Sequence, residues 1–129
     1  MVYGFAFFNK LYDKACCKNL ISVAEDEKRV DSLFQLMQIM KGNIHKFKDA
    51  TYDEINKAFK KIEGIARVAS IHPTQKVLFV VWYGGHVEMF DGSATTQVLT
   101  NDPDETKKRF PFEQKLADIS FLNNTFILN

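Results

Sequence analysis

Seven consecutive residues from Val77 to Tyr83 (Val-Leu-Phe-Val-Val-Trp-Tyr) are all apolar or aromatic. A run this short, rich in β-branched and aromatic side chains, is typical of a β-strand. Both faces of such a strand are apolar, so it needs cover on both sides. The run therefore predicts a strand in the middle of a sheet, with helices packed above and below it. Gly84 and Gly85 end the run, and His86 follows them.

The N-terminal part of the chain alternates between strand and helix patterns. Residues 2–8 predict another strand that is apolar on both faces, and a polar stretch over 9–19 follows it. Apolar residues at helical spacing predict an amphipathic helix over roughly 23–41, with acidic residues in its first turn and Gly42 as its terminator. Residues 43–48 alternate apolar and polar, as expected for a half-buried strand near a sheet edge.

A second helix is predicted after residue 48. Thr51 and Glu54 have the spacing of a capping box, in which each residue satisfies a free backbone amide of the other. Pro73 ends this helix. Its apolar stripe consists of Ile55, Phe59, Ile62, Ile65, Ala66 and Val68.

The segment after His86 reads as a β-hairpin followed by a loop. Residues 87–90 and 94–99 are the two predicted strands, and Asp91 and Gly92 form a turn that suits such a hairpin. The charged stretch 101–109 is expected to be a solvated connection, although its proline and mixed charges would also suit a docking loop.

A third helix opening at Pro111 and a last buried strand over 126–128 complete the chain. The third helix carries Phe112, Leu116 and Ile119 on its apolar face. The order of these elements predicts an α/β fold, a three-layer sandwich with a mostly parallel sheet and a β-hairpin insertion. At 129 residues we expect a single domain spanning 1–129.

The charge balance and the cysteines exclude several classes of function. The 17 basic and 16 acidic side chains leave a net charge of +1, so we expect no nucleic-acid partner. The apolar runs are too short to span a bilayer, so we expect no membrane insertion. Cys16 and Cys17 are neighbours that rarely form a disulfide, which indicates a reducing, intracellular and cytoplasmic location. The three histidines match no metal-binding motif, so we expect no metal and no cofactor.

His86 is the strongest candidate for chemistry because sites in parallel α/β sheets gather at the carboxyl ends of strands. An imidazole after two glycines at such an end can serve as a general base, and the alternative is a turn histidine held by a hydrogen bond. Cys16 and Cys17, near Lys14 and Lys18, are candidate nucleophiles by type, but incidental thiols are the favoured interpretation. A generic nucleotide or small-ligand domain of doubly wound type is a further alternative, and the sequence lacks any phosphate-binding motif.

The segment Val77 to His86 resembles the strand and histidine of the caspase-like cysteine peptidases, which include caspases, metacaspases and paracaspases. The family form is an apolar run, a Tyr, a small residue and Gly-His-Gly. Looser similarities cover most of the chain: Asn9 after the first strand, Leu20 to Leu33, Lys48 to Thr51, Phe110 to Leu116, and Asn124 to Leu128. The resembled part is the large-subunit half of the family.

The resemblance implies roles for four residues. His86 takes the position of the histidine of the catalytic dyad, and Gly85 and Val87 flank it at the oxyanion-hole position. Asp26 falls near the acidic residue that gives metacaspases their preference for Arg or Lys. Two departures matter: the family has Gly where this chain has Val87, and its nucleophilic Cys would come beyond Asn129. We therefore expect a catalytically silent module, since a histidine base needs a thiol to activate.

The last strand implies a protein partner. In the family further strands lie beside it, and an apolar edge without cover favours association. We expect Phe126, Ile127 and Leu128 to form an interface with a protein partner, in a hetero-oligomer or larger assembly. The expected function is that of an interaction or structural subunit. The alternative is a fragment of an active cysteine endopeptidase, with His86 as the base and a Cys located outside this sequence.

Overall fold

The structure is a computed structural model that describes residues 1–9, 23–89 and 96–129. Two short 3₁₀ segments, Lys41–Asn43 and Glu105–Lys107, accompany the main elements. In chain order the strands and helices are β1 (Val2–Phe8), α1 (Val23–Leu36), β2 (Ile44–Lys48), α2 (Tyr52–Ser70), β3 (Val77–Gly84), β4 (Val87–Met89), β5 (Thr96–Leu99), β6 (Arg109–Phe110), α3 (Phe112–Ser120) and β7 (Thr125–Leu128).

Four parallel strands form the main sheet, in the order β2-β1-β3-β7. The two apolar strands β1 and β3 are central, and Phe5 pairs with Val81 across them. The predicted central position of the Val77 to Tyr83 run is therefore confirmed. The half-buried strand β2 lies at one edge, as its alternating pattern predicts, and β7 lies at the other.

One face of the sheet packs against α2 and α3 in the larger part of the core. Side chains that alternate along β1 and β3 point to this face, and they are rich in phenylalanine. Phe7 makes an edge-on contact with Phe112 at the start of α3, with ring centroids 5.6 Å apart, and stacks on Phe47 of β2. Most of the aromatic side chains among the described residues thus fill the space between the sheet and these two helices.

The opposite face of the sheet packs against α1. Ala6, Phe8 and Val80 form a second buried cluster with Val30 and Phe34 of this helix. Helices therefore cover both faces of the sheet, which confirms an α/β three-layer arrangement with a mostly parallel sheet.

The end of α1 differs from its prediction. The helix ends at Leu36, five residues before the expected end at 41, and Gly42 lies in a 3₁₀ segment instead. Gln38 adopts a left-handed backbone with φ of 55°, and the Ile39 N–H donates to the Phe34 carbonyl. This is a Schellman motif, in which Ile39 also folds back to pack beside Phe34. Gln38 occupies the position where glycine is usual, so no glycine signals the helix end.

The second helix follows its prediction closely. Thr51 caps α2, its hydroxyl accepts from the Glu54 N–H, and both halves of the capping box form. The helix ends at Ser70, shortly before Pro73. Only one member of the predicted stripe lies on the surface, since Val68 is 55% exposed.

The hairpin is confirmed in part and belongs to a small sheet with the order β4-β5-β6. Its predicted turn at Asp91 and Gly92 lies outside the described residues. The stretch 101–109 is more structured than a solvated loop, because it ends in strand β6 and buries Asp102 and Lys108. Asp102 holds the turn by accepting from the Asp104 N–H at 3.1 Å.

Candidate functional site at the carboxyl edge of the sheet

His86 lies in the short link between β3 and β4, at the carboxyl edge of the main sheet. Its carbonyl oxygen accepts from the Leu99 N–H at 3.0 Å and lies 3.3 Å from the Tyr83 hydroxyl oxygen. These contacts hold the backbone of the link against Leu99 of β5 and Tyr83 of β3. His86 and Gly85 are partly buried, whereas the Val87 side chain is 58% exposed.

The backbone N–H and C=O groups of Val87 point away from β5, toward the outer edge of the small sheet. Val87 pairs with Val98, and the hydrogen bond from Leu99 to His86 lies one residue before that pair. In an antiparallel ladder this makes Val87 and Val98 a non-hydrogen-bonded pair, whose backbone groups point away from each other. The Val87 N–H therefore points to the outer edge of β4.

Asn9 organises this edge of the sheet. The side chain is fully buried, and its Oδ1 accepts from the Ala50 N–H at 2.9 Å. Its Nδ2 donates to the carbonyls of Ala50 and Leu99, both at 3.4 Å, and its backbone N–H donates to the Gly84 carbonyl. One side chain thus links the end of β1 to the start of α2 and to β5.

The role of Asn9 is missed when the sequence is analysed by residue type alone, and its resemblance to a family position gives no function for it. The sequence feature that indicates this role is an amide side chain placed directly after an apolar strand. A polar side chain buried there must satisfy its hydrogen bonds with neighbouring loops. The Tyr83 hydroxyl supports the same arrangement by donating to the Leu99 carbonyl at 2.7 Å.

Asp26 lies at the same edge of the sheet as His86. Helix α1 runs opposite to the strands, since Glu27 near its start pairs with Lys48 at the end of β2. Asp26, in the first turn, pairs with Arg29 of its own helix at 3.7 Å. The structure thus brings Asp26 and His86 to one edge of the sheet.

A cleft of about 360 Å³ opens beside Val87, between β3, the hairpin and α3. Glu113 is its one carboxylate among the described lining residues, and Glu113 Oε2 accepts from the Thr96 N–H at 2.8 Å. The other lining residues are mostly apolar: Val81, Trp82, Tyr83, Val87, Val98 and Phe112, with Asn129 at one end. The cleft can accept an apolar group, and its carboxylate is already engaged.

The C-terminal strand β7 presents one apolar face to solvent. Phe126 and Leu128 are 55% and 52% exposed, and they lie on the same side of the sheet as α1. Trp82, on that side of β3, is 38% exposed. Ile127 points to the other side and packs partly against the larger core. The three predicted interface residues are therefore split between a solvent-exposed face and a half-buried one.

Ion pairs hold α1 toward β2, which is the edge opposite to β7. Lys46 lies 2.9 Å from Asp31 and 3.5 Å from Glu27, and the hydrogen bond that Lys46 donates to Asp31 raises the pKa of Lys46 above its ordinary value. Glu27 also pairs with Lys48. Helix α1 thus lies over β1 and its neighbours, and the sheet surface formed by Trp82, Phe126 and Leu128 stays without cover in the described residues. We call this surface the bare face.

Neither protein-family models nor curated proteins provide a match to this chain. Among the described residues, no group of three His, Cys, Asp or Glu side chains could hold a metal ion. None of the described helices is long and apolar enough to cross a membrane. The candidate nucleophiles Cys16 and Cys17 lie outside the described residues.

Proposed function

We propose that this chain is an interaction module of caspase-like type, which binds a partner protein by adding the partner's strand to the outer edge of β7. The observation that supports the proposal is the exposed edge of β7 next to the bare face. Parallel sheets in α/β proteins are normally covered on both faces, and an apolar edge strand is a site for strand addition.

The register of β7 defines which backbone groups a partner strand would meet. The Val77 N–H donates to the Asn124 carbonyl. Because the ladder alternates along the strand, the backbone N–H and C=O groups of Phe126 and Leu128 also point toward β3. The backbone N–H and C=O groups of Thr125, which is 8% exposed, and of Ile127, which is half-buried, then point away from β3. An added strand would pair with these two residues, and its side chains would extend the apolar surface of Phe126 and Leu128.

The experiment uses the native complex, isolated from source cells and crosslinked. Crosslinks and slowed amide exchange should both map to 125–128. Ile127→Pro removes an outward N–H without breaking the ladder to β3, and it should abolish the complex. Phe126→Lys should weaken it strongly, whereas Phe121→Lys, at an 86% exposed phenylalanine after α3, should leave it intact. A complex that tolerates both changes in β7 would refute the proposal.

A fragment of an active cysteine endopeptidase is the second candidate, with the Cys supplied from outside this sequence. It is favoured by the position of His86 at the carboxyl edge, beside a cleft that Val87 lines. Here His86→Ala should lower peptide hydrolysis by the isolated complex by about 10²–10⁴-fold, the usual contribution of a general base. In an interaction module the same change leaves partner binding intact and removes no activity.

A further inference from the structure

A second hollow lies at the amino end of the strands, far from His86 along β3. It has a volume of about 420 Å³ and lies between α2 and the start of β1 and β3. Its apolar lining includes Tyr3, Ile65, Val68, Ala69 and Val77, and Lys61 and Lys76 also contribute to it. We call this hollow the amino-end groove. Its size falls within the range of small-molecule sites, about 300–1,000 Å³.

Gly64 lies in the lining of the amino-end groove, in the middle of the 19-residue helix α2. A glycine at an exposed position inside a helix lowers stability relative to alanine, so the presence of glycine at 64 calls for an explanation. No contact within the described chain provides one, because a Cβ built on Gly64 would meet no atom within 4 Å. By contrast, a Cβ on Gly4 would lie 2.9 Å from the Phe34 ring. The absence of a side chain at 64 keeps the groove open.

The charge of the amino-end groove has one sign. Lys61 and Lys76 are exposed, and the described lining residues include no Asp or Glu. Glu63 is adjacent in sequence to Gly64, but it lines a different hollow and pairs with Arg67. An apolar floor beside the ammonium groups of Lys61 and Lys76 is complementary to a molecule that has a hydrocarbon body and one anionic end.

We propose that the amino-end groove binds an aliphatic carboxylate, with the hydrocarbon chain on the apolar floor beside Gly64 and the carboxylate between Lys61 and Lys76. The driving force is burial of the chain against Ile65, Val68 and Val77, and the lysines set the preference for an anion. This site is separate from the β7 edge, so the proposal is independent of the function proposed above.

The first experiment titrates the full chain with sodium decanoate, below its micelle concentration, and follows backbone amides by NMR. The expected shifts map to Gly64, Val68 and Val77. Decyltrimethylammonium, which has the same chain and a positive end, should bind more weakly by about tenfold or more, since two lysines would repel it. Equal binding of the two amphiphiles, or no saturable shift in the groove, would overturn the proposal.

Two variants test the groove itself. Gly64→Ala should raise the unfolding midpoint and yet weaken decanoate binding by about tenfold, because the new methyl group occupies the space of the ligand. This opposite response separates lost binding from lost folding. Lys61→Gln should weaken binding by about two- to fivefold. Lys60→Gln changes the net charge equally, lines the other hollow, and should leave binding unchanged. Unaltered binding in Gly64→Ala would refute the assignment.

Discussion

Replacing a glycine inside a strand with alanine usually raises stability. Because α1 lies close to β1, we expect the same change at Gly4 to lower it. A Cβ on Gly4 would lie 2.9 Å from Phe34 Cε2 and 3.0 Å from Cζ. Carbon atoms in contact prefer about 3.5–4.0 Å, so the ring or the strand would have to move. Neither moves freely, because Phe34 is 1% exposed and β1 is hydrogen-bonded on both sides.

The magnitude follows from two opposing effects. Forcing one extra carbon into a packed core costs about 1–3 kcal/mol, whereas replacing a glycine inside a strand gains about 0.5–1 kcal/mol. We therefore expect Gly4→Ala to lower the free energy of unfolding by roughly 0.5–2 kcal/mol. Urea denaturation followed by circular dichroism measures this change through the shift in midpoint.

The control and the test of mechanism use other positions. Gly42→Ala should change stability by less than about 0.5 kcal/mol, since a Cβ there meets no atom within 4 Å. Combining Gly4→Ala with Phe34→Leu should cost less than the sum of the two single changes, because the smaller side chain makes room for the methyl group. If Gly4→Ala is as stable as the wild type, or if the two changes simply add, the proposed overlap is wrong.

Three further predictions concern other parts of the fold. Asn9→Ala leaves the buried Ala50 N–H without its acceptor, while the carbonyls of Ala50 and Leu99 keep the Asn101 N–H and the Tyr83 hydroxyl as donors, and it should lower the unfolding free energy by about 1–3 kcal/mol in urea denaturation; a loss below about 0.5 kcal/mol would contradict the role given to this side chain. Burial and then the charge of Lys61 lower the pKa of His45, so stability should be fully present above pH 6.5 and fall as pH drops from there through the folded-state pKa; His45→Gln should flatten a stability profile measured between pH 7.5 and 5.5. Gln38→Gly should raise the thermal midpoint, with a gain of about 0.5–1 kcal/mol, because glycine adopts the positive φ without strain; an unchanged midpoint would argue against strain at this residue.

Local signals in the sequence predict much of the architecture. The apolar run at 77–83 indicates a central strand, and the capping box at Thr51 marks the first turn of α2 to within a residue. Both signals succeed because the interactions they describe are short in range. The burial of a strand on both faces, and the hydrogen bonds of one helical turn, depend little on the rest of the fold.

The errors come from residues whose state is set by distant contacts. Gln38 ends α1 because Ile39 folds back onto Phe34, and a glutamine gives no local signal for this. Lys108 is buried although its neighbours in sequence are charged, because the segment pairs with β5 through β6. Helix and loop predictions made from neighbouring residues cannot include such tertiary contacts.

In the candidate site, too, the sequence predicts what depends on neighbouring residues and misses what depends on distant contacts. His86 is found from sequence because it follows the strongest strand of the chain, and the structure places it at the carboxyl edge as expected. The network around Asn9 is not found, because its partners Ala50 and Leu99 lie 41 and 90 residues away in sequence. Only the folded sheet brings these backbone groups together.

The strand order has a consequence for synthesis of the chain. β1 is made before the other strands, yet it is an inner strand whose two neighbours are β2 and β3. The ribosome therefore releases a segment rich in phenylalanine that gains its second neighbour only when residues 77–84 have emerged. Long-range pairing of this kind slows folding, and an exposed apolar strand is prone to aggregate. Any shortened chain that stops before residue 84 leaves one side of β1 open to other molecules.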